Sequence, residues 1–291
     1  MAHPESELSS INPSEIINRL PPDRFSQVCD GFIDFYLPEE TLSKTASLLK
    51  DGHNVALVTN HQSYFEIETI RYFCQQLNQT SETPIPSLLF YSAPAVQSNI
   101  EPLLKLRQPV YQQSGLNLLP IIRDVDRTNK YQDSITPQMS LQTRQSLRFY
   151  CETVKKGGCL IISPFESTLQ GGRINPMTGQ IHGLQPNKED GLLNLIKKNV
   201  FLLPCGIDGS YKVIDPDTHR PSHNFLKSLS HNQPSEKSVT FKIGHLINPQ
   251  DPTLASLSSA EIAHQVVLEV AKLISPSAQG AYRQECLDSL K

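Results

Sequence analysis

The sequence contains no tryptophan and only three methionines among its 291 residues. Its core must therefore be built mainly from leucine, isoleucine, valine and phenylalanine. No apolar run approaches the roughly 20 residues that a membrane-crossing helix needs, so no such helix is expected. The formal net charge is −3, and the absence of an excess of basic residues argues against nucleic acid as the main partner.

The six cysteines include no Cys-x-x-Cys pair. Several lie within apolar runs, which predicts reduced, buried thiols in a reducing compartment. No spacing typical of a metal site is present, so neither a metal nor another cofactor is expected. The acidic first residues lack the features of a secretory signal or an Arg-rich transit peptide. The expected location is the cytoplasm, or the plastid stroma if the chain is a processed form.

Apolar runs alternate with helical patterns from residue 51 onward. This alternation predicts an α/β fold with a mixed, largely parallel sheet and helices on both faces. We predict a helical N-terminal segment over residues 1–50, including a helix over 24–36, and an α/β domain over 51–291. Residues 208–234 are predicted to be a polar loop region. Strands are predicted at Val55–Thr59, Leu88–Ser92, Leu118–Arg123, Cys159–Ser163, Val200–Ile207 and Ser238–Ile247, the last at a sheet edge.

The first candidate site follows the strand at Val55–Thr59, where the chain turns through a polar stretch into a helix. His61 lies in this turn, and Glu66 follows five residues later. If Glu66 occupies the first turn of the helix, its carboxylate can reach back to the imidazole, orient the ring and raise its basicity. Glu68 is the alternative carboxylate. A solvated, polar helix start is the competing interpretation of this stretch.

Further polar groups follow other predicted strands. Arg123 ends one strand, and Arg173 lies in a stretch of roughly 25 residues without predicted structure, a length that favours a functional loop. Two guanidinium groups are suited to a bidentate grip on a phosphate, and adjacent glycines let the backbone approach an anion. The other candidate binding residues of this loop are Glu166, Ser167, Thr168, Gly171 and Gly172.

Taken together, these stretches resemble the four sequence blocks of the glycerolipid acyltransferase family, in the same order. Glu66 stands where the family has aspartate, and the third block reads Pro-Phe-Glu-Ser-Thr instead of Phe-Pro-Glu-Gly-Thr. The stretch from Gly171 to Gly179 is also similar to the soluble plastid glycerol-3-phosphate acyltransferases. The matching residues are Asn60, His61 and Glu66; Ile121, Ile122 and Arg123; Pro164, Phe165, Glu166, Ser167 and Thr168; and Leu202, Leu203 and Pro204.

The resemblance implies transfer of a fatty acyl group from acyl carrier protein or coenzyme A to glycerol-3-phosphate, in glycerophospholipid biosynthesis. His61 would be the general base, Glu66 would orient it, and Arg123 and Arg173 would hold the acceptor phosphate. Lysophosphatidate (1-acyl-glycerol-3-phosphate) is the alternative acceptor. A catalytically silent module that binds lipid or a carrier protein is an alternative of another class. A serine hydrolase would need a Gly-x-Ser-x-Gly elbow, which the sequence does not contain.

Both substrates need binding surfaces beyond these residues. An apolar groove for the acyl chain is expected near Phe90–Ala95 and Phe65. A basic rim for an acidic carrier protein is one interpretation of four lysines, and solvated helix ends are the other. Weak peripheral membrane contact is also compatible with the sequence. The four lysines are Lys155, Lys156, Lys197 and Lys198.

Overall fold

A computed structural model of the chain describes residues 22–63, 65–81, 84–93, 101–127, 132–164, 173–174, 181–182, 190–214, 222–231 and 236–289. Nine strands occur in these ranges: β1 (Ile33–Tyr36), β2 (Val55–Thr59), β3 (Ser87–Ser92), β4 (Leu116–Ile121), β5 (Cys159–Ile162), β6 (Arg173–Ile174), β7 (Ile181–His182), β8 (Phe201–Asp208) and β9 (Val239–Ile243). The same ranges contain nine α-helices: α1 (Pro22–Gly31), α2 (Glu39–Lys50), α3 (Glu66–Thr80), α4 (Glu101–Gln113), α5 (Pro137–Val154), α6 (Asp190–Lys197), α7 (His223–His231), α8 (Ser259–Lys272) and α9 (Arg283–Asp288).

Seven of the strands form one sheet in the order β1-β9-β8-β2-β5-β3-β4. All neighbouring strands are parallel except β8 and β9, which are antiparallel. The short strands β6 and β7 form a separate antiparallel pair. The predicted α/β fold, with a mixed and largely parallel sheet, is therefore confirmed.

The central strand β2 is buried along its whole length, as its unbroken apolar sequence requires. Val55 and Leu57 face a core covered by α1 to α4 and α7. Ala56 and Val58 face a second core, covered by α5, α6, α8 and α9. Helices therefore lie on both faces of the sheet, as the alternating pattern predicted.

The carboxyl ends of β2, β5, β3 and β4 point to one edge of the sheet because these strands are parallel. In open α/β sheets this edge is where ligands bind. The turn that holds His61 leaves β2 at this edge, and Arg123 leaves β4 two residues after its end. The fold therefore places both candidate stretches on the same side of the molecule.

The N-terminal region differs from its prediction. The helix expected over 24–36 ends at Gly31, and residues 33–36 form β1, which pairs with β9. A strand of four residues has too short an alternation to be recognised beside a helical pattern. Residues 22–50 thus contribute a strand to the main sheet as well as two helices, and a domain boundary at residue 50 stays a prediction.

Two other expectations are corrected. Strand β9 is not an edge strand, because β1 lies on its outer side. The alternation that suggested an edge is real, since Val239, Phe241 and Ile243 are buried and the residues between them are half-buried. The region 208–234 contains helix α7, whose Phe225 and Leu229 are buried in the core.

Burial of the cysteines is confirmed for five of the six, and Cys151 is exposed. Burial raises the pKa of the Cys74 thiol to about 12, and it also raises the pKa values of Cys29, Cys159 and Cys205. These buried thiols stay protonated at neutral pH, which disfavours them as nucleophiles. In the part of the chain that the structure describes, no helix has the length and apolar character needed to cross a membrane.

Candidate active site at the end of strand β2

His61 and Glu66 are in direct contact. The Nδ1 atom of His61 lies 2.5 Å from Oε2 of Glu66, within hydrogen-bonding distance. The contact forms across the predicted five-residue spacing because His61 is still in the turn and Glu66 is the first residue of α3. The His61 side chain is 39% exposed and that of Glu66 only 4%. A buried carboxylate therefore holds a ring that remains accessible from solvent.

The Glu66 carboxylate is fixed by groups other than His61. Its Oε1 atom accepts hydrogen bonds from the backbone N–H of Gln62 and, at 2.9 Å, from the N–H of Ser63. These are N–H groups that precede the first turn of a helix and need acceptors. The Ser63 hydroxyl accepts from the backbone N–H of Phe65 at 3.3 Å, before the helix begins at Glu66.

The pKa of His61 is raised above its ordinary value of 6.5. Partial burial of the ring favours the neutral form, but the charge of Glu66 and its hydrogen bond to Nδ1 outweigh that effect. The positive charge of Arg123 opposes Glu66 and lowers the pKa. The ring is therefore a stronger base than an isolated imidazole, and Nδ1 is the nitrogen that Glu66 engages.

Asn60 fixes the turn to the neighbouring strand β8. Its side chain is fully buried. Nδ2 donates to the carbonyl oxygen of Ile207 at 2.6 Å, and Oδ1 accepts from the backbone N–H of Ile207 at 2.8 Å. The asparagine amide thus continues the β2–β8 ladder by one residue, which sets the position from which His61 projects.

We expect Asn60→Ala to lower the free energy of unfolding by about 2–6 kcal/mol. The substitution leaves a buried N–H and a buried C=O without their partner, and each such loss costs about 1–3 kcal/mol. Urea unfolding would measure the change. Asn117→Ala is the matched control, because Asn117 is half-buried and only donates, to two backbone carbonyls. Equal losses in the two variants would contradict the anchoring role.

Arg123 is held by a buried carboxylate. Its Nε lies 3.3 Å from Oδ2 of Asp126, and a terminal nitrogen lies 3.1 Å from Oδ1. Oδ2 of Asp126 also accepts from the backbone N–H of Arg123 and from the hydroxyl of Ser92, both at 2.9 Å. Burial of Asp126 acts to raise its pKa, but these hydrogen bonds outweigh burial and the pKa is lowered. The Arg123 side chain remains 42% exposed, so its fork is oriented without being covered.

The predicted partner of Arg123 is not placed beside it by any described contact. Arg173 lies in β6, where its backbone pairs with His182. Its side chain lies outside the described residues, as do Glu166, Ser167, Thr168, Gly171 and Gly172. The two-arginine clamp and the binding roles of those residues therefore stay predictions.

Glu68, the alternative carboxylate, forms ion pairs with two arginines instead of contacting His61. It is buried and pairs with Arg107 at 3.0 Å and Arg71 at 2.9 Å, and it accepts from the hydroxyl of Tyr111. Phe65, expected to line an acyl groove, is 1% exposed and packs edge-to-face against Phe225 in the core. The described contacts of both side chains are therefore made within the buried interior.

Two residues of this edge were not predicted from the sequence. Asp126 lay in a stretch interpreted only as a charged loop, although its position three residues after Arg123 was a signal for an ion pair. Ser210 lies 144 residues beyond Glu66, yet its hydroxyl is 3.2 Å from Glu66 Oε1. Nothing local to Ser210 indicates this contact, because it depends on the pairing of β2 with β8.

The arrangement is suited to proton transfer. A partly exposed imidazole whose Nδ1 is bonded to a buried carboxylate has a defined tautomer and can accept a proton at Nε2. Among the residues that the structure describes, no group of three or more His, Cys, Asp or Glu side chains is placed to hold a metal ion.

Comparison with known proteins gives a similarity of fold alone. No protein-family model matches the chain, and no curated protein matches it by sequence. Among solved structures, the chain is similar to the crystal structure of the 1-acyl-sn-glycerophosphate (LPA) acyltransferase, PlsC, from Thermotoga maritima. The match has a TM-score of 0.42 at 14% sequence identity and covers 98% of this chain and 86% of that one.

Proposed function

We propose that this protein transfers a fatty acyl group from an acyl thioester to a hydroxyl of glycerol-3-phosphate. The observation that supports the proposal is the His61–Glu66 hydrogen bond at the carboxyl edge of a largely parallel sheet. Ser210, the residue that a serine hydrolase would offer near this pair, is fully buried and hydrogen-bonds to Glu66, so it is not placed as a nucleophile. In this proposal the base acts on an acceptor hydroxyl.

The chemistry follows from the unprotonated Nε2 of His61, which can accept a proton while Nδ1 is bonded to Glu66. His61 removes the proton of the acceptor hydroxyl as its oxygen attacks the thioester carbonyl carbon. The tetrahedral intermediate collapses, the C–S bond breaks, and the proton on His61 passes to the leaving thiolate. Glu66 stabilises the imidazolium during the interval in which the ring is protonated. The products are an ester and a free thiol, and no other reactant is required.

Arg123 is the proposed contact for the acceptor phosphate. Asp126 orients the guanidinium, and the exposed side-chain fraction is sufficient for an anion to approach it. We expect Arg123→Ala to lower kcat/KM for the acceptor by roughly tenfold to a hundredfold, because a hydrogen bond to a charged group is worth about 1.5–3 kcal/mol. Arg123→Lys keeps the positive charge but lacks the forked guanidinium, so it should retain only part of the wild-type kcat/KM for the acceptor.

Steady-state kinetics with each substrate varied in turn would check this. The KM for the thioester should not change, and Arg148→Ala, which removes an exposed arginine on α5, should leave both substrates unaffected. A loss that falls on the donor instead would assign Arg123 to the phosphates of coenzyme A or the carrier.

A cleft that runs from Ile162, near the carboxyl edge of the sheet, to Lys198, at the amino edge, offers room for the acyl chain. It encloses about 420 Å³ between α5, α6 and the sheet. At roughly 30 Å³ for each water-sized group, that volume accommodates much of a fatty acyl chain. Ile162, one of the lining residues, pairs with Val58 of β2, three residues before His61. The apolar lining includes Leu88, Phe90, Leu160, Ile162 and Leu195.

We expect Leu195→Phe to shift the donor preference towards shorter acyl chains. Each methylene that the larger ring excludes from the cleft costs about 0.8 kcal/mol, so excluding three lowers kcat/KM for a long chain by roughly 50-fold. A series of donors of increasing chain length would show the shift. Leu193→Phe is the control on the same helix, because Leu193 does not line the cleft. An unchanged chain-length profile in Leu195→Phe would place the acyl chain elsewhere.

The proposed partners are an acyl donor, either acyl carrier protein or a coenzyme A thioester, and a weakly contacted membrane surface. The four lysines proposed to meet an acidic carrier protein are exposed and immediately precede β5 and β8, at the amino edge of the sheet. That edge is opposite the one that holds His61. A carrier protein docked there would need its prosthetic arm to span the sheet, so the lysines provide weaker support for docking than the sequence alone suggested.

The direct test is to identify the product. Mass spectrometry of reactions that contain an acyl thioester with glycerol-3-phosphate, or with lysophosphatidate, should detect lysophosphatidate as the product of the first pair. Phosphatidate formed only from the second pair would assign the alternative acceptor. Free fatty acid as the dominant product in both would contradict transfer.

A further inference from the structure

The carboxylate of Glu66 is within hydrogen-bonding distance of a hydroxyl that lies 144 residues further along the chain, that of Ser210. Ser210 begins a short 3₁₀ turn, Ser210–Lys212, directly after β8. Gly209 before it has a φ of +85°, and a Cβ there would collide with the carbonyl oxygen of Ser238. Only glycine makes this turn without strain. The turn places the fully buried Ser210 hydroxyl 3.2 Å from Glu66 Oε1.

The same hydroxyl lies close to a second oxygen. Ser210 Oγ is 3.3 Å from Oε1 of Gln62, whose side chain is also buried. A hydroxyl has one hydrogen, so Ser210 can donate to only one of the two oxygens. The carboxylate is the stronger acceptor because it is charged. The Gln62 amide must then act as donor to Ser210 if the two groups are to remain in contact.

An independent observation supports that orientation. The Nε2 atom of Gln62 is buried and has no hydrogen-bond partner among the described residues. A buried amide N–H without a partner costs free energy. Rotating the amide by 180° exchanges its oxygen and nitrogen, which are told apart only by their hydrogen-bond partners. The rotation brings Nε2 to the Ser210 oxygen and gives that N–H an acceptor, while Oε1 moves to the position that Nε2 left.

We propose that Gln62 and Ser210 are positioning residues that act on His61 through Glu66. This inference rests on the proposed function, in which His61 is the base. Gln62 donates to Ser210, Ser210 donates to Glu66 Oε1, and Oε2 of Glu66 is left to His61. The three donors on Oε1 hold the carboxylate in one rotamer. The side chains of Gln62 and Ser210 are both buried, so their effect belongs to the geometry and charge of the His61–Glu66 pair.

The test is a double-mutant cycle between Ser210 and Glu66. We expect Ser210→Ala to lower kcat by roughly 5- to 30-fold with both KM values unchanged, since it removes one hydrogen bond to a charged group. In the Glu66→Gln background the same substitution should lower kcat by less than about twofold. Ser210→Cys, which keeps a weak donor, should lie between serine and alanine. Equal losses in the two backgrounds would overturn the proposal.

A second measurement does not depend on activity. The pKa of His61 can be followed by NMR titration of its ring protons. It should change on Ser210→Ala in the wild-type background and stay the same when Ser210→Ala is added to Glu66→Gln. Ser228→Ala is the matched control, because Ser228 is buried in α7 and belongs to neither of the turns that hold His61 and Ser210. If the titration is coupled but no acyl transfer is detected, the proposed function fails and the positioning role stands. An uncoupled titration overturns the positioning role itself.

Discussion

Replacing His61 by alanine is expected to lower turnover by roughly 10²- to 10⁴-fold, the range that general acid–base catalysis contributes. The substitution removes the imidazole that, among the described residues, is hydrogen-bonded to Glu66 and placed to accept a proton. Stability should change little, because 39% of the His61 side chain is exposed. Initial rates at saturating donor and acceptor would measure the loss.

His245→Ala is the control for this experiment. His245 is exposed in the segment after β9 and belongs to neither core. Its removal should leave turnover unchanged, and thermal unfolding of both variants would show that each is folded. A well-folded His61→Ala protein with near-full activity would remove His61 from the mechanism.

Glu66→Gln is expected to have the second-largest effect, a loss of roughly 10²-fold or more, because an orienting carboxylate fixes the tautomer of the base. The glutamine oxygen would accept from the backbone N–H groups of Gln62 and Ser63, as Glu66 Oε1 does. Its NH₂ group would then face His61 Nδ1 and donate to it. The ring would be forced into the tautomer with its proton on Nε2, where it cannot act as a base.

The pH profile separates this effect from simple damage. His61 must be neutral to accept a proton, so activity should rise with pH through a midpoint above 6.5, the ordinary value from which Glu66 raises the pKa. Without the carboxylate charge, the midpoint of the residual activity should move down. Glu66→Asp keeps the charge on a shorter side chain and should retain part of the activity. Equal activity of glutamine and glutamate at position 66 would contradict the orienting role.

Much of the fold was predictable because its strongest signals are local. Strand β2 is an unbroken apolar run, and the structure places it in the centre of the sheet, where both faces are buried. The capping box formed by Ser258 and Glu261 starts α8, and its Ser-x-x-Glu pattern is visible in the sequence. Strand β1 was missed because it is short and its partner β9 lies about 200 residues away. Missing β1 in turn made β9 look like an edge.

In the candidate site, too, local contacts were predictable from the sequence and contacts between distant segments were not. The His61–Glu66 contact spans one turn, so spacing and helix geometry were enough to predict it. The contacts of Ser210 with Glu66 and of Asn60 with Ile207 join segments more than 140 residues apart. Such contacts follow from the pairing of β2 and β8, which no local pattern specifies. The role of Asp126 was hidden for another reason: an aspartate in a charged loop is ordinarily solvated, and only its burial reveals the ion pair with Arg123.

The central claim is that His61 activates an acceptor hydroxyl against a thioester. Its most direct test is the rate of thiol release from an acyl thioester, measured with and without glycerol-3-phosphate, in wild-type protein and in His61→Ala. We predict that the acceptor accelerates thiol release at least tenfold in the wild type, in step with ester formation, and that His61→Ala abolishes the acceleration. Thiol release that is equally fast without any acceptor, or absent with glycerol-3-phosphate and with lysophosphatidate alike, would contradict the account.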